Sequence, residues 1–162
     1  FEKANYRNFK NLGGGVILDA ACYTLHASRL LSGFNPKSIN SKIIYNNKGL
    51  DISGSSLIVF ENNIHAFLSF SFDSFYRNNI SVFGTDGMAS LDRAFTSTTD
   101  LETNINLKSN KSDINKIKIT PCDHFLFQLD FFIKSIKDGT NRHKFYDEIL
   151  MQSKCLEKIR NE

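Results

Sequence analysis

Apolar stretches separated by polar breaks run the length of this chain, and the spacing inside each stretch predicts its element. Residues 1 to 12 are polar and aromatic without a sustained period, an irregular lead-in that contains Asn5-Tyr6-Arg7. From about Gly15 to Leu31 the period is helical: Ile17, Ala21, Leu25 and Ser28 share one side, with Leu18 and Cys22 between, and Gly33 is a stop signal. Asn35-Pro36 predicts a turn, Ser38 to Tyr45 a strand, and Asn46-Asn47-Lys48-Gly49 a second turn. Ser55 to Phe60 and Ile64 to Phe72 read as a hairpin around Glu61-Asn62-Asn63. In its second arm Ala66, Leu68, Phe70 and Phe72 alternate with His65, Phe67, Ser69 and Ser71, the period of a sheet with one buried face. Asn79 to Phe83 and Met88 to Leu91 flank Gly84-Thr85-Asp86-Gly87, a hairpin turn in which Asp-Gly supplies positive φ. Leu101 to Leu107 and Lys116 to Ile119 predict two more strands. Asp123 to Lys137 and Phe145 to Arg160 predict closing helices, the first with Phe127, Phe131, Ile133 and Ile136 at helical spacing and the second with Ile149, Leu150, Leu156 and Ile159.

A helix, a run of antiparallel strands and two more helices give an α+β fold: an open, mainly antiparallel β-sheet of about six strands with helices packed on one face. The length of 162 residues suits a single domain spanning 1–162. An open sheet leaves a second face, and Phe67 marks that face as partly apolar. Such area points to a homo-oligomer that stacks sheets or to a partner domain lying there. Coverage of Phe67 by local loops is the alternative.

The candidate chemistry gathers behind Gly13, Gly14 and Gly15. Three glycines in a row mark a loop where the backbone bends sharply or approaches something closely. On the helix that follows, Asp19, Tyr23 and His26 stand at i, i+4 and i+7, which aligns a carboxylate, a phenol and an imidazole on one face. That arrangement looks like a site, although a tight connection and three solvated side chains would leave the same pattern.

Charge and composition narrow the classes. A net charge of +3 with scattered basic residues gives no nucleic-acid footprint, and Lys108, Lys111, Lys116 and Lys118 suit a solvated sheet edge. No apolar run reaches membrane-spanning length and no signal peptide is present. Cys22, Cys122 and Cys155 are odd in number and far apart, which suits small apolar residues in a reducing, cytoplasmic compartment. His65, His124 and His143 sit in separate elements without a zinc spacing, so no metal is expected. The chain begins at Phe1 without a methionine, as maturation or excision from a longer protein would leave it.

Gly-Gly-Gly-x-x-x-Asp-x-x-Cys-Tyr, preceded by Asn-x-Arg at Asn5 and Arg7, resembles the signature of the C-terminal domain of Gfo/Idh/MocA oxidoreductases. Closest is the branch of glucose-fructose oxidoreductase, D-xylose dehydrogenase and dihydrodiol dehydrogenase. Ile80 to Met88 resembles the family's strand–Gly-Thr-x-Gly–strand hairpin, and His124-Phe125, Phe131, Ile136 and Asp138-Gly139 fit its closing helices. The resemblance implies a substrate and oligomerisation domain whose N-terminal Rossmann half, which would bind NAD or NADP and carry a catalytic lysine, is absent from this chain. It implies hydride transfer between the nicotinamide and a sugar, nucleotide sugar or related polyol, with the isolated chain inactive. Tyr23 takes the position of the catalytic acid/base, and Asp19 that of the aspartate that orients the substrate. Arg7 matches a motif arginine that is structural or near the substrate, His26 a position open to substrate contact or to a helix-capping or merely polar role, and Gly13 to Gly15 an active-site loop. A phenol ionises near about 10 in water and needs a neighbouring cation to work near neutrality; the absent lysine is a candidate. Ala21 stands where the family usually has glycine. The same fold also serves regulators that bind nucleotide or sugar without turnover, which is the alternative.

Overall fold

The computed structural model describes residues 5–139 and 142–161, which leaves residues 1–4 of the lead-in and the side chain of His143 outside the description. The chain divides into two units, Phe1–Ser74 with Arg142–Glu162, and Phe75–Asn141.

The first unit opens with two single turns of 3-10 helix, Tyr6–Asn8 and Lys10–Leu12, before the glycine loop. The helix behind the loop starts as a π turn, Ile17–Ala21, and continues as α1, Cys22–Ser32, which stops at Gly33. Strands β1 (Pro36–Tyr45), β2 (Asp51–Phe60) and β3 (His65–Ser71) then form an antiparallel three-stranded sheet in that order. The long helix α3, Arg142–Asn161, returns to this unit at the end of the chain.

Period decides which face is buried. Leu68 and Phe70 of β3 are buried while Phe67 between them is 81% exposed, so the predicted alternation holds. Ile39 of β1 and Ile58 and Phe60 of β2 join them on the inner face. Ile17, Ala21 and Leu25 from the π turn and α1, and Cys155 and Ile159 from α3, complete the core against that face. The buried methyl of Ala21 is accommodated there without exposure. Fully burying an Ile, Leu or Phe side chain contributes about 1.5–3 kcal/mol, so this cluster holds both helices on the sheet.

The second unit contains β4 (Asn79–Phe83), β5 (Gly87–Asp92), β6 (Thr103–Ser109) and β7 (Ser112–Ile119), an antiparallel sheet in sequence order, followed by α2 (His124–Asp138). The predicted hairpin turn closes with Gly84 N–H donating to the Gly87 carbonyl at 2.8 Å. Asp123 caps α2 by accepting from Phe125 and Leu126 N–H, both at 3.0 Å. Helix α2 has the predicted apolar spacing, but Phe127, Phe131, Ile133 and Ile136 are all exposed.

The fold is therefore α+β with antiparallel strands, as expected, but the single sheet of about six strands is replaced by sheets of three and four. The β1–β2 turn is closed by Asn46 Oδ1, which accepts from Lys48 and Leu50 N–H, and just past the end of β3 the Ser71 hydroxyl accepts from Asp73 N–H at 3.1 Å.

Phe60 is fully buried at the centre of the first unit's core. Replacing it with alanine is expected to cost about 3–5 kcal/mol of unfolding free energy, read as a lowered midpoint in urea with the slope unchanged.

Candidate active site

The site begins with a helix that lacks its own cap. Val16 precedes the π turn and makes no side-chain cap bond, yet the first N–H groups of a helix need acceptors. The acceptor comes from the sheet: Asp51 Oδ2 takes the Ile17 N–H at 2.7 Å, and Asp51 is only 8% exposed. A carboxylate suits this end of a helix, where the aligned peptide dipoles leave partial positive charge. The Asp51 carboxylate also lies against Gly15, so close that a Cβ there would run into it, and Gly15 has φ +110°. Both conditions exclude a side chain. Gly14 is required by a different neighbour, since a Cβ on it would stand 2.5 Å from the Arg7 carbonyl oxygen.

The same loop carries Arg7 into place. Gly15 N–H donates to the Arg7 carbonyl at 3.1 Å, and Gly14 N–H to the Phe9 carbonyl at 3.0 Å. Arg7 N–H donates to Asn5 Oδ1 at 3.0 Å, which accounts for the Asn-x-Arg spacing. The guanidinium lies over the Tyr6 ring at 5.0 Å and donates from Nε to Asp19 Oδ1 at 2.6 Å. Arg7 and Asp19 are each about a third exposed or less, so the pair is open to a ligand. Asp19 Oδ2 has no hydrogen-bond partner among the described residues and can accept from a bound hydroxyl.

Tyr23 stands one turn on and is 56% exposed. The Asp19 hydrogen bond and then its charge push the Arg7 guanidinium further up, partly offset by desolvation, and Tyr6 and Tyr23 add smaller contributions. Arg7, paired to Asp19, is a cation held beside the residue one turn before Tyr23. His26 is exposed on α1 and makes no hydrogen bond or ion pair among the described residues. The structure joins Arg7 to Asp19 and to the loop of Gly13 to Gly15, with Tyr23 one turn beyond Asp19 and His26 three residues further on the same helix.

Asp51 is the residue that sequence reasoning missed. A carboxylate at the head of a strand, 34 residues from the helix it caps, has no local signature. The only available signal was negative: no Ser, Thr, Asp or Asn stands at the helix start. A π turn carrying Asp19 was equally unforeseen, and such turns recur at functional sites.

Both sheets are antiparallel, without a βαβ unit among the described residues. At the glycine loop the helix N-terminus is already filled by the Asp51 carboxylate, whose charge would repel a pyrophosphate. No group of three metal-ligating side chains occurs among the described residues. Burial pushes the Cys22 and Cys155 thiols up, which keeps both protonated, whereas Cys122 is exposed and does not serve as an apolar core residue. No helix of the described residues is long and apolar enough to cross a membrane.

Comparison with known proteins gives one family model over residues 2–90, the GFO/IDH/MocA C-terminal domain. The dTDP-3,4-didehydro-2,6-dideoxy-alpha-D-glucose 3-reductase of Saccharopolyspora spinosa is 29% identical over 80% of this chain and 39% of its own length. The trans-1,2-dihydrobenzene-1,2-diol dehydrogenase of Xenopus tropicalis is 29% identical over 65% of this chain and 32% of its own. Among solved structures, a 3-ketoreductase from Actinomadura kijaniata in complex with NADP and TDP-benzene superposes with a TM-score of 0.90 at 18% identity, covering 99% of this chain and 49% of that one. An aldose-aldose oxidoreductase from Caulobacter crescentus follows at 0.75 and 20% identity, covering 86% and 42%. The chain spans half or less of the length of each of these relatives.

Gly15→Ala combines left-handed backbone with a methyl driven into the Asp51 carboxylate. It is expected to cost about 2–4 kcal/mol in chemical denaturation, and Asp51→Ala should relieve part of that loss in the double variant. Simple additivity of the two would contradict the contact.

Proposed function

Because the chain belongs to the GFO/IDH/MocA C-terminal domain family, we propose that it is the substrate-side half of an NAD- or NADP-dependent oxidoreductase acting on a sugar, nucleotide sugar or related polyol. Residues 1–162 act together as the substrate-binding and oligomerisation part, beside a separate dinucleotide-binding half in the parent protein. The named reductase and dehydrogenase relatives support the reaction class, and relatives about twice the length of this chain support the second half. The parent works in the cytoplasm, a reading supported by three free cysteines.

The observation that carries the reading is the Arg7–Asp19 pair held one turn from Tyr23. Interconverting a carbinol and a carbonyl requires a proton to leave or reach the substrate oxygen as the hydride moves. Tyr23 is the acid/base for that proton. Asp19, one oxygen engaged by Arg7, accepts from a neighbouring substrate hydroxyl with the other and so fixes which carbinol faces Tyr23. Gly13 to Gly15 hold the segment that carries Arg7, and His26, exposed on the same helix as Tyr23, is a further substrate contact.

Association runs through the open face of the first sheet. Leu57 pairs with Phe67 across β2–β3, and Phe67 is almost wholly exposed, an apolar centre of the kind that a second copy covers.

Turnover by the full-length parent, followed by nicotinamide absorbance over aldoses and nucleotide sugars, is expected to fall by about 10²–10⁴ in Tyr23→Phe with coenzyme binding retained. Undiminished turnover would remove Tyr23 from the proton step, and coenzyme binding without turnover on any substrate would favour a regulator. Light scattering should find the parent oligomeric and Phe67→Asp dissociated; a monomeric wild type would refute the interface.

A further inference from the structure

Helix α3 reaches the segment carrying Tyr23 through hydrogen bonds that the reading above does not use. Gln152 Nε2 donates to the Cys22 carbonyl at 2.9 Å, across 130 residues of sequence. That carbonyl lies where the π turn meets α1, and its peptide leads directly into Tyr23. The other end of the same amide is also engaged. Arg29 Nη1 donates to Gln152 Oε1 at 2.9 Å, and Arg29 Nη2 to the Glu148 carboxylate at 2.9 Å. An amide whose oxygen accepts from a guanidinium must turn its NH2 the other way, so the Gln152 donor is aimed at Cys22 without ambiguity. Glu148 and Gln152 are one turn apart on α3, while Cys22 and Arg29 are two turns apart on α1. The four groups therefore close a ring between the helices.

Stability does not explain this cluster. Arg29 is buried, and its Nε finds no acceptor among the described residues. A buried donor left unpaired works against folding, and apolar side chains of similar volume would hold the two helices together at least as well. What they would not supply is a directional bond at one carbonyl.

We propose that Gln152, clamped by Arg29 and Glu148, is a positioning residue for Tyr23. It pins the backbone at the junction of the π turn and α1, so the phenol leaves the helix in one direction. Removal of the bond lets the π turn and the first turn of α1 exchange hydrogen-bond partners, and the phenol is displaced from the substrate oxygen. The catalytic part of this role rests on the reading of Tyr23 as acid/base.

The test uses the full-length parent and Gln152→Met, which keeps the length and packing of the side chain but removes both bonds. Amide hydrogen exchange over residues 17–26 is expected to accelerate by about tenfold or more, with the C-terminal turns of α3 unchanged. Equal exchange over that segment overturns the brace, whatever the activity. With NADH and NADPH over the same sugar and nucleotide-sugar panel, kcat should fall by about 10–100-fold while coenzyme affinity stays within twofold. Gln152→Glu, which can still accept from Arg29 but cannot donate to Cys22, should behave alike. In a Tyr23→Phe background, Gln152→Met should cost nothing further; an equal loss in both backgrounds would reduce Gln152 to a merely structural role and refute the proposal. Full turnover in Tyr23→Phe alone, beside accelerated exchange in Gln152→Met, would remove the acid/base reading and leave the backbone brace supported.

Discussion

The buried carboxylate of Asp51 is the constraint on which the site is built. It supplies the cap that the helix start lacks, and it stands where a side chain on Gly15 would stand. Capping draws the π turn onto the head of β2. Exclusion of a side chain brings the glycine loop down on the carboxylate. The loop in turn presents the Gly15 amide to the Arg7 carbonyl, so one buried acid helps determine where a cation 44 residues earlier in the chain lies. Hydrogen bonds to a charged acceptor are worth about 1.5–3 kcal/mol, a large share of a margin that is small in any domain.

From that constraint follows a division of labour between two acids. Asp51 is buried and spends its charge on backbone, whereas Asp19 is partly open and pairs with Arg7 at the surface. The first builds; the second can meet a ligand. Occupation of the helix N-terminus by Asp51 also explains why a triple glycine before a helix does not make a phosphate cradle here. A loop of the same composition becomes an anion site only when its amides are free.

Burial on the two sides of the first sheet is equally unequal. Phe60, Ile58, Leu68 and Phe70 turn inward to the helices, and Phe67 turns out. The inner face holds the helix that carries Asp19 and Tyr23, so the packing of β2 and β3 and the geometry of the site are one problem. The polar ring of Arg29, Glu148 and Gln152 sits in that same helix–helix seam and contributes direction where the apolar core contributes adhesion.

Local pattern determined a great deal: the seven strands and three main helices, the alternation in β3, the hairpin at Gly84 to Gly87, the cap at Asp123 and the stop at Gly33 are all properties of neighbouring residues. Motif spacing likewise brought Arg7, Asp19, Tyr23 and the three glycines forward as candidates. What the linear pattern does not contain is which polar group answers which across the chain. Asp51 under Gly15, Gln152 on the Cys22 carbonyl and Arg7 on Asp19 join positions that no periodicity links. The same holds for the division of the strands into sheets of three and four. Periodicity is set by the backbone's own repeat and is legible in sequence; long-range pairing of buried polar groups is set by where packed elements happen to bring donors and acceptors together, and only the tertiary structure decides it.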